Sequence, residues 1–120
     1  MANGKKTMVQ FTAAWIPGEG EKDDANCAVT GVIQLDGETP TSLPAHLMVR
    51  DYLEDKPCWW PAVTLPAKKQ LSYGQAFADE EPIGTDLHQV KVAKGTVFQI
   101  KAKDGSVARY SITKVEDLTA

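Results

Sequence analysis

A chain of 120 residues is long enough to bury one hydrophobic core and too short for two, so we expect residues 1–120 to form a single domain. With 42% apolar and 24% charged residues, the composition is that of a globular protein and argues against wholesale disorder. Residues 1–86 carry 7 basic and 13 acidic groups, and residues 87–120 carry 6 basic and 3 acidic ones, for a net charge of −3. This overall acidity argues against a nucleic-acid partner.

The N-terminus is expected to be a short disordered tail over residues 1–6, followed by a stretch in which apolar and polar residues alternate. That stretch ends at Trp15-Ile16-Pro17, so it has the features of neither a signal peptide nor a membrane-spanning helix. We therefore expect a cytoplasmic protein with no membrane partner.

Two strands are predicted in the first third of the chain, at residues 7–15 and 27–35. Both are rich in residues that favour strands, and the second ends at the turn signal Asp36-Gly37. Residues 17–26 between them are polar and rich in glycine, with no periodic pattern, which favours a mobile loop.

Residues 42–55 fit two interpretations. Ser42 is a suitable helix cap with Pro44 in the first turn, which indicates a short helix near residues 43–54. The alternation of Leu47, Val49 and Leu53 favours a strand instead.

Three prolines follow, at positions 57, 61 and 66, and we expect them to prevent a long central strand because proline donates no ladder hydrogen bond. A short strand is predicted around residues 70–73, and an acidic loop at residues 79–82.

The last third of the chain gives the clearest prediction, with strands at residues 87–92, 96–102 and 106–115. Both connections fit three-residue hairpin loops with a glycine, Gly95 or Gly105, in the left-handed conformation. The implied register places Phe98 opposite Tyr110 on one side and opposite Val90 on the other. The same register points five polar side chains outward: Gln89, Lys91, Gln99, Lys101 and Arg109.

Seven or so short strands with frequent turns predict an all-β fold. Our expectation is a two-layer antiparallel β-sandwich of roughly immunoglobulin-like size, with an open β-barrel as the alternative.

The adjacent tryptophans Trp59 and Trp60 are the most unusual local feature, because neighbours on an extended strand point to opposite faces. If Val63 and Leu65 face the core, the alternation places Trp59 in the core and Trp60 at the surface. Both are candidate binding residues, with Trp60 as the exposed contact, and ordinary packing of both rings is the competing interpretation.

The cysteines and histidines suggest no cofactor and no metal site. Cys27 and Cys58 lack a zinc-binding spacing, and either buried thiols or a disulfide fits them. Cys58 with His46 or His88 would make a nominal catalytic set, although no motif supports it, and His88 is better explained as a hydrogen-bonded core histidine.

Two charged features are better explained as solvated surface. The acidic residues at positions 19–24 and 79–81 offer oxygens for calcium, but their spacing fits no calcium loop. The outward basic row lacks the exposed aromatic residues that nucleic-acid-binding sheets use for stacking.

These observations favour a non-catalytic β module that binds a protein partner or itself, through a strand edge or the tryptophan pair. The first alternative is a carbohydrate- or small-ligand-binding domain that stacks its ligand on an exposed tryptophan. An enzyme built on Cys58 and a histidine is the least favoured.

Overall fold

The computed structural model describes residues 6–53, 55–72, 83–101 and 105–118, and these form nine strands and two short 3₁₀ helices. The helices are Pro66–Lys68 and Leu87–Gln89. The strands, in chain order, are β1 Lys6–Ile16, β2 Ala28–Asp36, β3 Thr39–Pro40, β4 His46–Leu53, β5 Lys56–Leu65, β6 Gln70–Ser72, β7 Ile83–Thr85, β8 Val97–Lys101 and β9 Val107–Asp117.

All strands belong to one antiparallel sheet that closes on itself. Its order is β1-β9-β8-β7-β6-β5-β4-β2-β3, and β1 also pairs with β2. The two-residue strand β3 only extends the β2 side, so the other eight strands form a closed ring. Apart from β3, every strand pairs with the strands before and after it in the chain, and β9 returns to β1. The architecture is therefore an up-and-down β-barrel.

The all-β prediction is confirmed, but the expected two-layer sandwich is not formed. The physical reason is that β1 uses both of its edges, pairing along Lys6–Ala14 with β2 and along Val9–Ile16 with β9. A single sheet then supplies both walls of the core. Alternating strands with one buried face look the same in a sandwich and in a barrel, so the sequence pattern could not separate them.

The helix considered for residues 43–54 is not formed in the described part of this segment, where His46–Leu53 is the strand β4. Leu47 and Val49 are both 3% exposed and point into the barrel between β2 and β5. The alternation of these residues is thus the signal that the structure follows, and the Ser42-Pro44 cap signal is not used.

The strand β5 runs through Pro57 and Pro61, contrary to the expectation that these prolines would break it. The Thr64 amide donates to the Ala45 carbonyl at 3.0 Å, so even-numbered residues of β5 direct their backbone groups toward β4. Both prolines are odd-numbered, and their nitrogens face the opposite side. Among the described residues, β6 pairs on that side only from Val63 to Leu65. Neither proline therefore removes a hydrogen bond from the β4–β5 ladder.

The hairpin of β8 and β9 has the predicted register, with Phe98 opposite Tyr110 and Ile100 opposite Ala108. Gly95 and Gly105 have the predicted positive φ angles of 93° and 92°.

The prediction of a strand at residues 87–92 was wrong. The partner of β8 is β7, which places Thr85 rather than His88 opposite Ile100, and neither Val90 nor His88 lies in a strand. The chain instead turns at Leu87–Gln89 and inserts the fully buried Leu87 into the core. The Val92 amide then donates to the Glu38 carbonyl at 2.8 Å, which ties this segment to the β3 region.

Three aromatic rings form the centre of the core. The rings of Phe11 and Phe98 meet edge to face with centroids 6.0 Å apart, and Tyr110 stacks on Phe98 at 5.6 Å. These residues come from β1, β8 and β9. Their packing therefore joins β1 to the β8–β9 hairpin at the place where the barrel closes.

Replacement of Phe98 by alanine should lower the free energy of unfolding by about 3–5 kcal/mol, because the fully buried ring leaves a cavity between two aromatic partners. Gln99→Ala, at the exposed neighbouring position, should change it by less than about 0.5 kcal/mol. Urea denaturation of both variants checks this, and equal losses would mean that β8 is covered on both faces.

Gly31 of β2 is required by the packing inside the barrel. A Cβ at this position would overlap Leu47 Cδ2 and would lie 3.0 Å from both Phe11 Cε1 and the His46 carbonyl oxygen. Gly31→Ala should therefore destabilise the fold by about 1–3 kcal/mol. The matched control is Gly84→Ala, whose Cβ would meet its nearest neighbour, Lys101 Cβ, at an ordinary 3.7 Å. Thermal unfolding of the two variants should separate them, and a neutral Gly31→Ala would contradict the packing described.

Candidate functional site

The outward side chains of β1, β2, β4 and β5, with one from β6, form a broad surface that we call the outer face. The strand register aligns its residues in two rows across the barrel wall. One row is Gln10, Val32, His46, Val63 and Ser72, and the other is Thr12, Thr30, Met48 and Pro61. None of these nine residues is Lys, Arg, Asp or Glu.

A shallow groove of about 480 Å³ lies along the outer face. Its sides include Val32, Met48, Pro61 and Val63. Gly31, an inward position of β2, also borders the groove. The groove is therefore lined mainly by apolar atoms, with a few hydroxyl, amide and imidazole groups around it.

Trp59 projects beside this groove. It lies on β5 two residues from Pro61, faces the same side of the wall, and is 46% exposed. Arg50, its partner on β4, places the guanidinium carbon 5.4 Å from the centroid of the indole. The cation–π contact holds the ring against the wall and covers part of it.

The structure reverses the roles predicted for the two tryptophans. Trp60 is partly buried and packs against the core, while Trp59 is the exposed ring. The reason is that Ala62 and Thr64 are the inward positions of β5, whereas Val63 lies on the outer face. The alternation was correct, but its phase was taken from apolar residues that lie outside the core.

The opposite wall of the barrel has an ordinary charged surface. Gln99 and Lys101 of β8 and Arg109 of β9 are exposed there, as predicted. Gln89 and Lys91 are also exposed, but they lie outside the strands, in the segment that is tied to the β3 region. The contrast between the two walls shows that the lack of charge on the outer face is local.

A polar cluster around Tyr52 lies at the end of the wall next to Arg50. The Tyr52 hydroxyl donates to Asp24 Oδ2 at 2.6 Å and accepts a hydrogen bond from Asn26 Nδ2 at 3.3 Å. The backbone N–H of Asn26 also donates to Asp24 Oδ1 at 2.8 Å. The hydrogen bond from Tyr52, followed by that from Asn26, holds the pKa of Asp24 below its ordinary value, and the same bond to Asp24 raises the pKa of Tyr52. These contacts fasten the end of the β1–β2 loop to β4.

The two cysteines are free thiols. Cys27 directly precedes β2 and Cys58 lies on β5, with β4 between these two strands. Asp51 lies opposite Cys58, and the Cys27 thiol donates to Asp51 Oδ1 at 3.8 Å. Burial, followed by the negative charges of Asp51 and Asp24, raises the pKa of Cys27 to about 11. Cys27 is therefore a poor nucleophile at neutral pH.

The nominal catalytic set of Cys58 with a histidine is not assembled. Cys58 is near the start of β5, whereas His46 pairs with Val63 near its other end, roughly 17 Å along the strand. His88 bonds to Thr64, which is also near that far end.

His88 joins three segments at this far end of the barrel. Its Nδ1 lies 3.0 Å from the Thr41 carbonyl oxygen, which can only accept, so Nδ1 carries the proton. Its Nε2 then accepts from the Thr64 hydroxyl at 2.8 Å, and that hydroxyl accepts from the Ala45 amide at 2.7 Å. Burial lowers the pKa of His88. The prediction of a hydrogen-bonded histidine is confirmed, although the residue is only partly buried and not on a strand.

Two further features bear on the predicted partners. Within the described ranges, no group of three or more His, Cys, Asp or Glu side chains is placed to hold a metal ion. The acidic residues at positions 79–81 lie outside those ranges, as do residues 1–5 of the predicted tail, while Lys6 begins β1. No helix in the described part of the chain is long and apolar enough to cross a membrane.

Comparisons of the chain with protein-family models, with characterised proteins and with solved structures give no match. The interpretation of the outer face therefore depends on its geometry and composition.

The His88 network predicts a loss of stability in mild acid. Because the pKa of His88 is lowered on folding, the unfolded chain takes up a proton more readily as the pH falls below the ordinary value of 6.5. The stabilisation from neutral His88 is complete above that pH and declines below it, toward the lower pKa of the folded state.

The test is the free energy of unfolding at pH 7.5 and at pH 5.5 for the native chain and for His88→Gln. The variant should be less stable by about 1–2 kcal/mol at the higher pH, through a lost hydrogen bond, and should lose less stability on acidification. His46→Gln, at an exposed position, is the control and should keep the native stability at pH 7.5. An unchanged pH dependence in His88→Gln would contradict this assignment.

Proposed function

We propose that this protein is a non-catalytic barrel module that acts by protein–protein contact through its outer face. The observation that supports the proposal most directly is the uncharged composition of the outer face. At the chain's average of 24% charged residues, about two of the nine positions would carry a charge on an ordinary solvated surface.

The exposed apolar side chains on the same wall support the proposal. Met48 is 38% exposed and Trp59 is 46% exposed, and they flank the groove from two neighbouring strands. Aromatic residues, methionine and arginine are enriched where proteins bind one another, whereas lysine and carboxylates are depleted. The combination of Met48, Trp59 and Arg50 around an uncharged groove has this composition.

Closure of the barrel indicates how such a contact would be made. A closed sheet has no edge strand along its paired length, so a partner cannot extend the sheet there. On the side of β5 where no described strand pairs upstream of Val63, Pro57 and Pro61 supply no amide hydrogen. Contact through side chains on the outer face is therefore favoured over the strand-edge pairing considered from the sequence.

A carbohydrate ligand is the second candidate, and it is favoured by the surroundings of Trp59. Carboxylate, amide, phenol and guanidinium groups from Asp24, Asn26, Tyr52 and Arg50 lie on the same wall as this exposed indole. Sugars are commonly bound by such an aromatic platform with polar groups beside it. Binding on a glycan array that disappears in Trp59→Ala would favour this candidate over a protein partner.

The proposed function predicts site-specific cross-linking in the native host cell. With Met48 replaced by the photoreactive residue p-benzoylphenylalanine, irradiation should give a defined protein adduct. The same residue at position 99, on the opposite wall, should give none above background. Adding Thr12→Glu, which puts a charge on the same row as Met48, should reduce the adduct at least fivefold.

Absence of any protein adduct at position 48, or equal adducts at positions 48 and 99, would contradict a binding role for the outer face. Circular dichroism of each purified variant checks that the barrel remains folded.

A further inference from the structure

We infer that the partner of the outer face is the same face of a second copy of this chain, related by a two-fold axis through the centre of the groove. This inference rests on the proposed function and adds the identity of the partner. It follows from the arrangement of shape, charge and area on the outer face.

A projecting side chain, Trp59, and a groove occur side by side on the outer face. In a two-fold dimer each patch must be complementary to itself, so a residue that contacts a second residue is contacted by it in return. On β5, Trp59 and Val63 lie two residues to either side of Pro61, and all three face outward. A two-fold axis that lies in the plane of the interface, along the row of Met48 and Pro61, therefore exchanges these two positions. Each Trp59 ring then enters the groove of the other copy beside Val63.

Such a rotation also keeps like charges apart. The two central rows of the outer face carry no Lys, Arg, Asp or Glu, so their contact opposes no like charges. Arg50, in the next row, is carried by the rotation over the His46 end of the other copy. The two guanidinium groups then stay apart by roughly 14 Å, which is beyond the screening length of about 8 Å at physiological salt. Self-docking thus buries the uncharged rows and leaves both arginines at the rim.

The area of the outer face sets how tightly two copies can bind. Four strands about 4.8 Å apart and three rows about 6.8 Å apart span roughly 400 Å² in projection, and the relief of the side chains makes the accessible area larger. Because these four strands are half of the eight-stranded ring, the wall curves away from its partner, and the two copies together would bury at most about 1,000 Å², the size of a weak and transient contact. A reversible dimer with a dissociation constant in the micromolar range is therefore expected.

Sedimentation velocity of the purified chain over roughly 5–500 µM tests the inference. The native chain should shift with concentration from its 13.1 kDa monomer toward twice that mass. Met48→Glu should raise the dissociation constant at least tenfold, because it places two carboxylates in the buried rows. Trp59→Ala should also weaken the dimer at least tenfold.

Gln99→Glu, which adds the same charge to the opposite wall, is the matched control and should associate like the native chain. Near-ultraviolet circular dichroism and thermal unfolding verify that all variants are folded. Because Met48 and Trp59 are both exposed, two variants test the same face through different chemistry.

Each outcome decides the matter. A strict monomer at every concentration would overturn the dimer, and the proposed function would still be upheld by an adduct with another protein at position 48 in cells. A dimer that Met48→Glu and Trp59→Ala leave unchanged would use a different face and would also overturn the inference. A dimer broken by both variants and kept by Gln99→Glu would support it.

Discussion

The pairing of β1 with both β2 and β9 is the constraint on which the rest of the structure depends. It turns a series of hairpins into a closed wall, brings the inward side chains of facing strands together and leaves neither β1 nor β9 with a free edge along its paired length. It also fixes which residues face outward on β1 and β2, because their register is shared. The outer face is the outward side of β1 and β2 and of the next two strands of the wall, β4 and β5, together with Ser72 of β6.

Closure also explains why the exterior is informative. The buried ring cluster of Phe11, Phe98 and Tyr110 occupies the centre of the interior. The uncharged groove lies on the outside of the wall. One wall carries ordinary charges and the other carries none over two rows, so the molecule has two chemically different sides.

Local features of the fold could be predicted from the sequence where turn chemistry and alternation agreed. The β8–β9 hairpin is the clearest case, because Gly105 fixes the loop and Phe98 opposite Tyr110 then follows. The prediction for residues 87–92 failed because the alternating residues form a turn that buries Leu87 and do not form a strand. Closure of the sheet could not be predicted, since it depends on contact between residues that are far apart in the chain.

The candidate site was predicted in part, for a related reason. Trp59 and Trp60 were identified as unusual, but the ring that is exposed was chosen wrongly because Val63 was assumed to be in the core. An apolar residue in a strand indicates burial, and it does not say whether the fold or a partner provides it. The outer face became visible only when the register aligned Thr30, Met48 and Pro61 across three strands.

The pairing of β1 with β9, which we call the seam of the barrel, affects how the chain reaches its native state. Neighbouring hairpins form from short sequence separations, whereas Gln10 and Glu116 meet across nearly the whole chain. Contacts between residues so far apart in the sequence cost the most loop-closure entropy, so the seam is expected to form late in folding. Until then, β1 and β9 are both open edges. An exposed ion pair of Lys114 with Glu116, at 3.0 Å, lies on β9, and charged side chains of this kind discourage intermolecular strand pairing while the barrel is still open.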